Sequence, residues 1–178
     1  MKGLIVYKGK YGATRQYAAW LRDATGLPLV IADTCTREQV AQNDFIVCGS
    51  SIYIGRLLIR HWLKKNIHAL QNKRIYLFIV CGTPAHEIQK LQSYLQASVP
   101  AELLHLCHVY YLPGRLVYNK LSWFDKLMLR MGARLSKDPE AKKGLSDYDA
   151  VKKEQLEELL SDIRKFTGRE VKPELIEH

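Results

Sequence analysis

The sequence contains no apolar stretch near the roughly 20 residues that a bilayer-spanning helix requires. Its first apolar run, Leu4 to Tyr7, is too short for the hydrophobic region of a secretion signal, so a cytoplasmic location is expected. Cysteine is sparse and unpaired in pattern: Cys35, Cys48, Cys81 and Cys107 are widely spaced and form no C-x-x-C. Three of the four sit inside apolar runs, which predicts buried free thiols in a reducing compartment; a redox pair of Cys48 and Cys81 is the alternative. The six histidines show no metal-ligand spacing, and no metal site is expected. There is no internal repeat and no low-complexity linker. Acidic residues are scarce: 18 Asp and Glu stand against 27 Lys and Arg, a formal net charge of +9. An excess of that sign attracts acidic partners, whether nucleic acid, an anionic membrane surface or an anionic small molecule; a merely solvated basic surface is the plainer reading.

What is present begins at the N-terminus. The 178 residues, 47% hydrophobic and 25% charged, suit one domain with a sizeable core. Leu4–Tyr7 reads as a buried strand. It stops at a loop carrying Gly9, Gly12 and Thr14, and a helical pattern with Ala18, Ala19 and Leu21 inward follows at once. A strand that ends in a glycine-bearing loop feeding a helix N-terminus is suited to phosphate, because first-turn amides lack intrahelical partners and the helix dipole adds positive charge. Thr14 is expected to cap the helix and to offer its hydroxyl to phosphate. Many such turns carry glycine with no ligand. The spacing is neither G-x-G-x-x-G nor G-x-x-x-x-G-K-[ST], which argues against a dinucleotide fold and against a P-loop NTPase.

Strand and helix patterns alternate along the rest of the chain. Thr14–Ala24 is the first helix, closed by Gly26 and Pro28; Pro28–Ala32 is a second strand, and 33–42 a loop with one helical turn. Asp44–Gly49 is a third strand. Gly55–Asn66 is an amphipathic helix with Leu58, Trp62 and Leu63 inward. Arg74–Cys81 is the fourth and most apolar strand. A helix starting near Pro84 runs to about Ser98, Leu104–Leu112 is a fifth strand, and Val151–Phe166 is a final helix ended by Gly168, with a loose tail after it. Apolar strands alternating with helices predict a parallel sheet covered on both faces, with its ligand beyond the carboxyl ends of the strands. The loops there are Lys8–Thr14, Gly49–Gly55 and Gly82–Ala85. One phosphate-suited loop, two small polar loops and a tyrosine, Tyr53, suit a flat aromatic ligand with a single phosphate; isoalloxazine with its ribityl phosphate fits.

Tyr7-Lys-Gly-Lys-Tyr-Gly-Ala-Thr14 resembles the FMN phosphate loop of flavodoxins, and Val47-Cys-Gly-Ser-Ser-Ile-Tyr-Ile-Gly55 resembles their second flavin loop. The likeness is closest to the quinone-dependent protoporphyrinogen dehydrogenases of the flavodoxin-like type. Their Gly-x-Ser-Ile-x-x-Gly segment is similar to Gly49–Gly55, and their basic, aromatic insertion is similar to Tyr111–Met131. The resemblance implies a five-stranded parallel sheet in the order 2-1-3-4-5, a single domain over 1–178, and FMN as cofactor. It implies a phosphate held by Lys8, Gly9, Lys10, Tyr11, Gly12, Ala13, Thr14 and Arg15. The ring would be framed by Ser50, Ser51, Ile52, Tyr53, Ile54, Gly55, Cys81, Gly82 and Thr83. Two departures stand out. Lys8 occupies the loop's first hydroxyl position and Gly9 follows, so side-chain donors are lost that Lys8 or Lys10 would replace by charge. Tyr53 stands where the family often has a basic residue.

From Arg115 to Lys137 the chain carries Arg115, Lys120, Lys126, Arg130, Arg134 and Lys137 against Asp125 alone, with Trp123 and Phe124 among them. Val117, Leu121, Phe124, Met128 and Leu135 recur at helical spacing. Such a segment suits the inner face of a membrane or an anionic substrate, with Arg115, Lys120, Trp123, Lys126 and Arg130 at the surface; packing on the protein's own sheet or on a second copy is the alternative. The chemistry expected is transfer of electrons from a reduced organic substrate such as protoporphyrinogen to a quinone, with no catalytic side chain, since the flavin performs the redox step. A flavodoxin-like electron carrier or quinone reductase is the rival, disfavoured by the positive charge. A non-enzymatic basic module is the other; nucleic acid is not expected, and a receiver-like regulator would need an Asp where Gly49 stands.

Overall fold

The apolar runs of the sequence become strands whose alternate residues feed two separate cores. In β1 (Gly3–Lys8), Ile5 faces one side and Leu4 and Val6 the other; in β3 (Phe45–Tyr53), Phe45 and Val47 oppose Ile46 and Cys48. In β5 (Arg74–Cys81), Tyr76, Phe78 and Val80 oppose Ile75, Leu77 and Ile79. Side chains alternate across a strand, so a strand that is apolar throughout must be covered twice. The computed structural model describes residues 1–82, 87–117, 121, 123, 126 and 147–168. Pro84, most of the insertion's apolar stripe and the tail after Gly168 lie outside them.

The central sheet has the order β2-β1-β3-β5-β6, where β2 is Leu29–Ile31 and β6 is Cys107–Pro113. All four pairings along that path are parallel, and counting these strands alone gives the expected 2-1-3-4-5. A short β4 (Arg56–Leu57) pairs antiparallel with the end of β3. On one face lie α1 (Ala13–Thr25), with Tyr17, Ala18 and Leu21 inward, and the last helix, α7 (Glu157–Thr167), with Leu159, Leu160 and Ile163 inward. The other face is covered by α2 (Arg37–Ala41), α3 (Arg60–Lys65), α4 (Ile67–Leu70), α5 (Ile88–Gln96) and α6 (Ala101–Leu104). Beyond β6 a two-stranded antiparallel ribbon forms from β7 (Arg115–Leu116) and β8 (Tyr148–Asp149), which brackets the basic insertion.

Several boundaries differ from the sequence reading; the fifth strand of the central sheet starts at Cys107, not at Leu104, which ends the short helix α6. The third strand does not stop at Gly49 but continues to Tyr53, because β4 and β5 both offer partners to the added residues. The amphipathic segment 55–66 is a hairpin arm and a turn before it becomes helix at Arg60. The final helix begins only at Glu157, after a 3₁₀ turn at Lys153–Leu156. In the one-turn region, Thr36 and Gln39 form a reciprocal capping box that starts α2.

Two glycines are required by packing. Gly3 pairs with Phe45 and Gly49 with Phe78 on the neighbouring strand, and each ring folds over its glycine, so that a Cβ there would fall inside the ring's envelope. Gly49→Ala is therefore an overpacking change at the sheet centre, expected to cost ~2 kcal/mol and to lower Tm by roughly 4–8 °C in a thermal melt of the flavin-free protein.

The last helix is tied to the sheet by polar contacts too. The Tyr110 hydroxyl donates to Asp162 Oδ2 at 2.7 Å, and the Tyr76 hydroxyl donates to the Asp162 backbone carbonyl at 3.2 Å. The Tyr110 hydrogen bond, with Lys165 adding to it, holds the Asp162 carboxyl below the ordinary carboxylate range. A carboxylate depressed in the folded state stabilises above its unfolded pKa near 4, and that contribution disappears as pH falls through the folded value. Tyr110→Phe is expected to cost about 1 kcal/mol at pH 7, and less at pH 3, read as urea midpoints at the two pH values. An equal cost at both would mean that the carboxylate charge contributes nothing.

Candidate functional site

Parallel pairing brings the ends of β1, β3, β5 and β6 to one edge of the sheet, and the switch in strand order falls between β1 and β3. At the β1 end the chain makes a tight loop from Gly9 to Gly12 and enters α1. The N-cap is Gly12, with φ 88°, not Thr14. That left-handed conformation is open to glycine and lets the chain turn directly into the helix. No side chain caps this end and no acidic residue lies in its first turn. The first intrahelical bond runs from the Gln16 amide to the Gly12 carbonyl at 2.9 Å, so the amides of Ala13, Thr14 and Arg15 precede the hydrogen-bond ladder. Thr14 is buried in the second helical position and lies against Gly9, where a Cβ would come within 2.7 Å of the Thr14 hydroxyl.

The two loop lysines differ in their surroundings. Lys8 Nζ pairs with Asp33 Oδ1 at 2.6 Å, fastening the end of β1 to the segment after β2. Lys10 Nζ lies 3.9 Å from the centre of the Tyr53 ring and 5.4 Å from that of Tyr11. The Lys10–Tyr53 contact bridges the switch point, joining the β1–α1 loop to the hairpin after β3. Arg15 is exposed on the first turn of α1.

The segment 50–55 divides between the two faces of the sheet. Ser50 is fully buried; its hydroxyl donates to the Ser51 carbonyl and accepts from the Ile59 amide at 3.2 Å, so it serves the start of α3. Ile52 packs on the core of the α3 face. Ser51 and Tyr53 fall on the opposite, α1 side by strand alternation. The Ser51 hydroxyl is buried there with no partner among the described residues. Ile54 and Gly55 form the two-residue tip between paired Tyr53 and Arg56, with φ of 48° and 67°. Their position is fixed by the Leu57 amide, which donates to Ser98 Oγ at 2.9 Å.

At the β5 end, Cys81 is half-buried and Gly82 is exposed, with the Tyr148 hydroxyl where a Gly82 side chain would be, 2.5 Å from its Cβ. Burial, with Cys81 beside it, raises the Tyr148 phenol. Thr83 lies outside the described residues, as do Lys120 and Arg130; Trp123 is 78% exposed and Lys126 half-buried. Cys48 does not meet Cys81. It pairs with Leu77, four residues short of Cys81, about 13 Å along the strand. Burial raises the Cys48 thiol well above its ordinary range and the Cys107 thiol to about 12, so both stay protonated.

Sequence reasoning missed the role of the ribbon. Arg115 Nε donates to Asp149 Oδ2 and Nη2 to Gln16 Oε1 of α1, both at 2.7 Å, and the Tyr17 hydroxyl donates to the Pro113 carbonyl at 3.0 Å. Arg115 and Val117 thereby face Lys10 and Tyr11 across a cleft of about 260 Å³. Partners 34 and 99 residues away leave no local signal in the sequence.

The hairpin tip yields a test. A β-branched residue at positive φ is strained, and a two-residue hairpin turn with both central residues left-handed favours Asn-Gly. Ile54→Asn is expected to stabilise the flavin-free protein by about 1 kcal/mol, an increase in Tm of roughly 2–4 °C.

The loop, the uncapped helix end, the Gly9–Thr14 approach and the orphaned Ser51 hydroxyl together fit a phosphate-bearing ligand lying across the switch point. The Flavodoxin domain family model matches residues 4–143 of the chain. No curated protein sequence matches it. Solved structures that resemble it include the Trp repressor binding protein from Bacillus subtilis, at TM-score 0.47 and 14% identity, covering 64% of this chain and 83% of that one. Smu.1420 from Streptococcus mutans UA159 gives 0.48 and 14%, covering 74% and 96%. The two-electron reduced Megasphaera elsdenii flavodoxin gives 0.43 and 16%, covering 62% and 85%. With the family match spanning most of the chain and the flavodoxin-like sheet order beneath it, the protein belongs to the flavodoxin-domain family, whose cofactor is FMN and whose members are flavin oxidoreductases and electron carriers.

Proposed function

We propose that the protein is an FMN-dependent dehydrogenase that oxidises an anionic reduced organic substrate, of which protoporphyrinogen is the best candidate, and passes the electrons to a quinone. The observation that carries this reading is the position of the ribbon. A strongly basic insertion leaves the domain from Leu116 and returns at Tyr148, beside the cleft that the phosphate loop lines. An electron carrier has no need of such a segment at that place.

Bound FMN supplies the two-electron redox chemistry. The amides of Ala13, Thr14 and Arg15, with the Gly9–Gly12 loop, hold its phosphate, aided by the α1 dipole. Ser51 offers its buried hydroxyl to the cofactor. Tyr53, Cys81 and Gly82 would frame the ring, and the Lys10 ammonium over the Tyr53 face would move aside for that face to be used. Lys126 and the remaining lysines and arginines of the insertion would draw in carboxylates of the substrate or an anionic membrane surface, where a quinone is available. No helix among the described residues is long and apolar enough to cross a membrane, so such contact is peripheral in this reading. Each turnover removes two hydrogens from the substrate and converts one quinone to hydroquinone; three turnovers take a porphyrinogen to a porphyrin.

The test has two stages. FMN is added to purified protein, the excess removed, and the visible spectrum recorded; about one retained flavin per chain, with a shifted band, is expected. The loaded protein is then given protoporphyrinogen and a soluble menaquinone analogue, and porphyrin fluorescence is followed. Quinone-dependent appearance of porphyrin is expected. Retained flavin without that activity would reject the substrate and leave the cofactor in place.

A further inference from the structure

The phosphate loop of this chain lacks side-chain hydroxyl donors at Lys8 and Gly9, and the obvious replacement charge is already engaged, since Lys8 is paired with Asp33 at 2.6 Å. Of the loop's other cations, Lys10 lines the cleft but rests over the Tyr53 ring and Arg15 is exposed, so a cation fixed in place from outside the loop would add what they do not. The cleft over the loop has one on its far wall. Arg115 enters it from the ribbon, opposite Lys10 and Tyr11. Its guanidinium is held in place rather than left to wander: Asp149 accepts from Nε and Gln16 accepts from Nη2, each at 2.7 Å. These bonds use two of its five N–H groups, and the side chain remains 26% exposed. Gln16 follows directly on Arg15, so the guanidinium is anchored to the same first turns of α1 whose leading amides precede the hydrogen-bond ladder.

Resting on FMN as the cofactor, we infer that Arg115 is a phosphate-binding residue: it closes the anion site from the ribbon side and replaces the donors that Lys8 and Gly9 do not supply. An arginine matches phosphate with parallel N–H donors, and a charge-assisted bond in a partly enclosed cleft is stronger than a neutral one. Asp149 has two effects. Its carboxylate aims the guanidinium, and its charge offsets part of the attraction for the ligand.

The experiment compares FMN with riboflavin, which has the same ring and ribityl chain but no phosphate. Dissociation constants for both are measured by quenching of flavin fluorescence, at low and high salt, on the full chain and on Arg115→Met, Arg115→Lys and Asp149→Asn. The unmodified protein is expected to prefer FMN. Arg115→Met should lose about tenfold of that preference, through weaker FMN binding with riboflavin affinity nearly unchanged, and Arg115→Lys should recover part of it. The preference should shrink as salt rises. Asp149→Asn keeps an oxygen acceptor for the guanidinium and removes the offsetting charge, so it should increase the preference two- to threefold. That variant tests the inference by itself if Arg115→Met does not fold. An unchanged preference in Arg115→Met, or equal weakening of both flavins, would overturn the assignment. A fall or no change with Asp149→Asn would do the same. Failure of the unmodified protein to bind either flavin would remove the FMN reading along with it, an outcome distinct from FMN binding that ignores Arg115.

Discussion

Everything at the site depends on the parallel pairing of β3 with both of its neighbours. Parallel strands all leave the sheet at the same edge, so the loop after β1, the hairpin after β3 and the ribbon after β6 converge without further instruction. Register is held firmly, since the strands are apolar on both faces and a slip of one residue would exchange the two cores. Gly3 under Phe45 and Gly49 under Phe78 add a steric lock, because a Cβ at either position would fall inside the ring that covers it.

Upon that frame the polar contacts connect segments that are remote in sequence. Lys10 over Tyr53 links the two sides of the switch point. Lys8 with Asp33 closes the β1–β2 side. Tyr17 with the Pro113 carbonyl and Arg115 with Gln16 join α1 to the end of β6 and to the chain beyond it. The helix that presents its amides to the cleft is thus fixed from the ribbon side as well as by its own apolar face. Any coupling between the ribbon side and the loop would therefore run through α1 and be reciprocal.

The parallel core was readable in the sequence since its strands are apolar runs bounded by glycine, proline and charge, as at Leu4–Tyr7 and Arg74–Cys81. The β1–α1 loop was readable for the same reason: strand, glycines and helix follow one another with no gap. Gly49-Ser50-Ser51 misled because small polar residues look like loop, whereas here Gly49 is demanded by Phe78 and Ser50 serves the start of α3. Thr14 looked like a cap, but the left-handed turn at Gly12 takes that place two residues earlier and leaves Thr14 inside the helix. The ribbon was invisible: two strands of two residues each, with the whole insertion between them, carry no periodicity. Arg115 read as one more surface cation until its fold partners, Gln16 and Asp149, were in place.

The ribbon also makes the insertion a cassette. Leu116 and Tyr148 are direct neighbours, so the stretch from 117 to 147 departs and returns at almost the same point. The sheet need not be re-threaded for that stretch to lengthen, shorten or be exchanged, and the entropy of closing it grows only with the logarithm of its length. Descendants of one domain can therefore diverge in what they accept while the strands beneath stay as they are, and a designer could transplant a foreign segment between the same two residues.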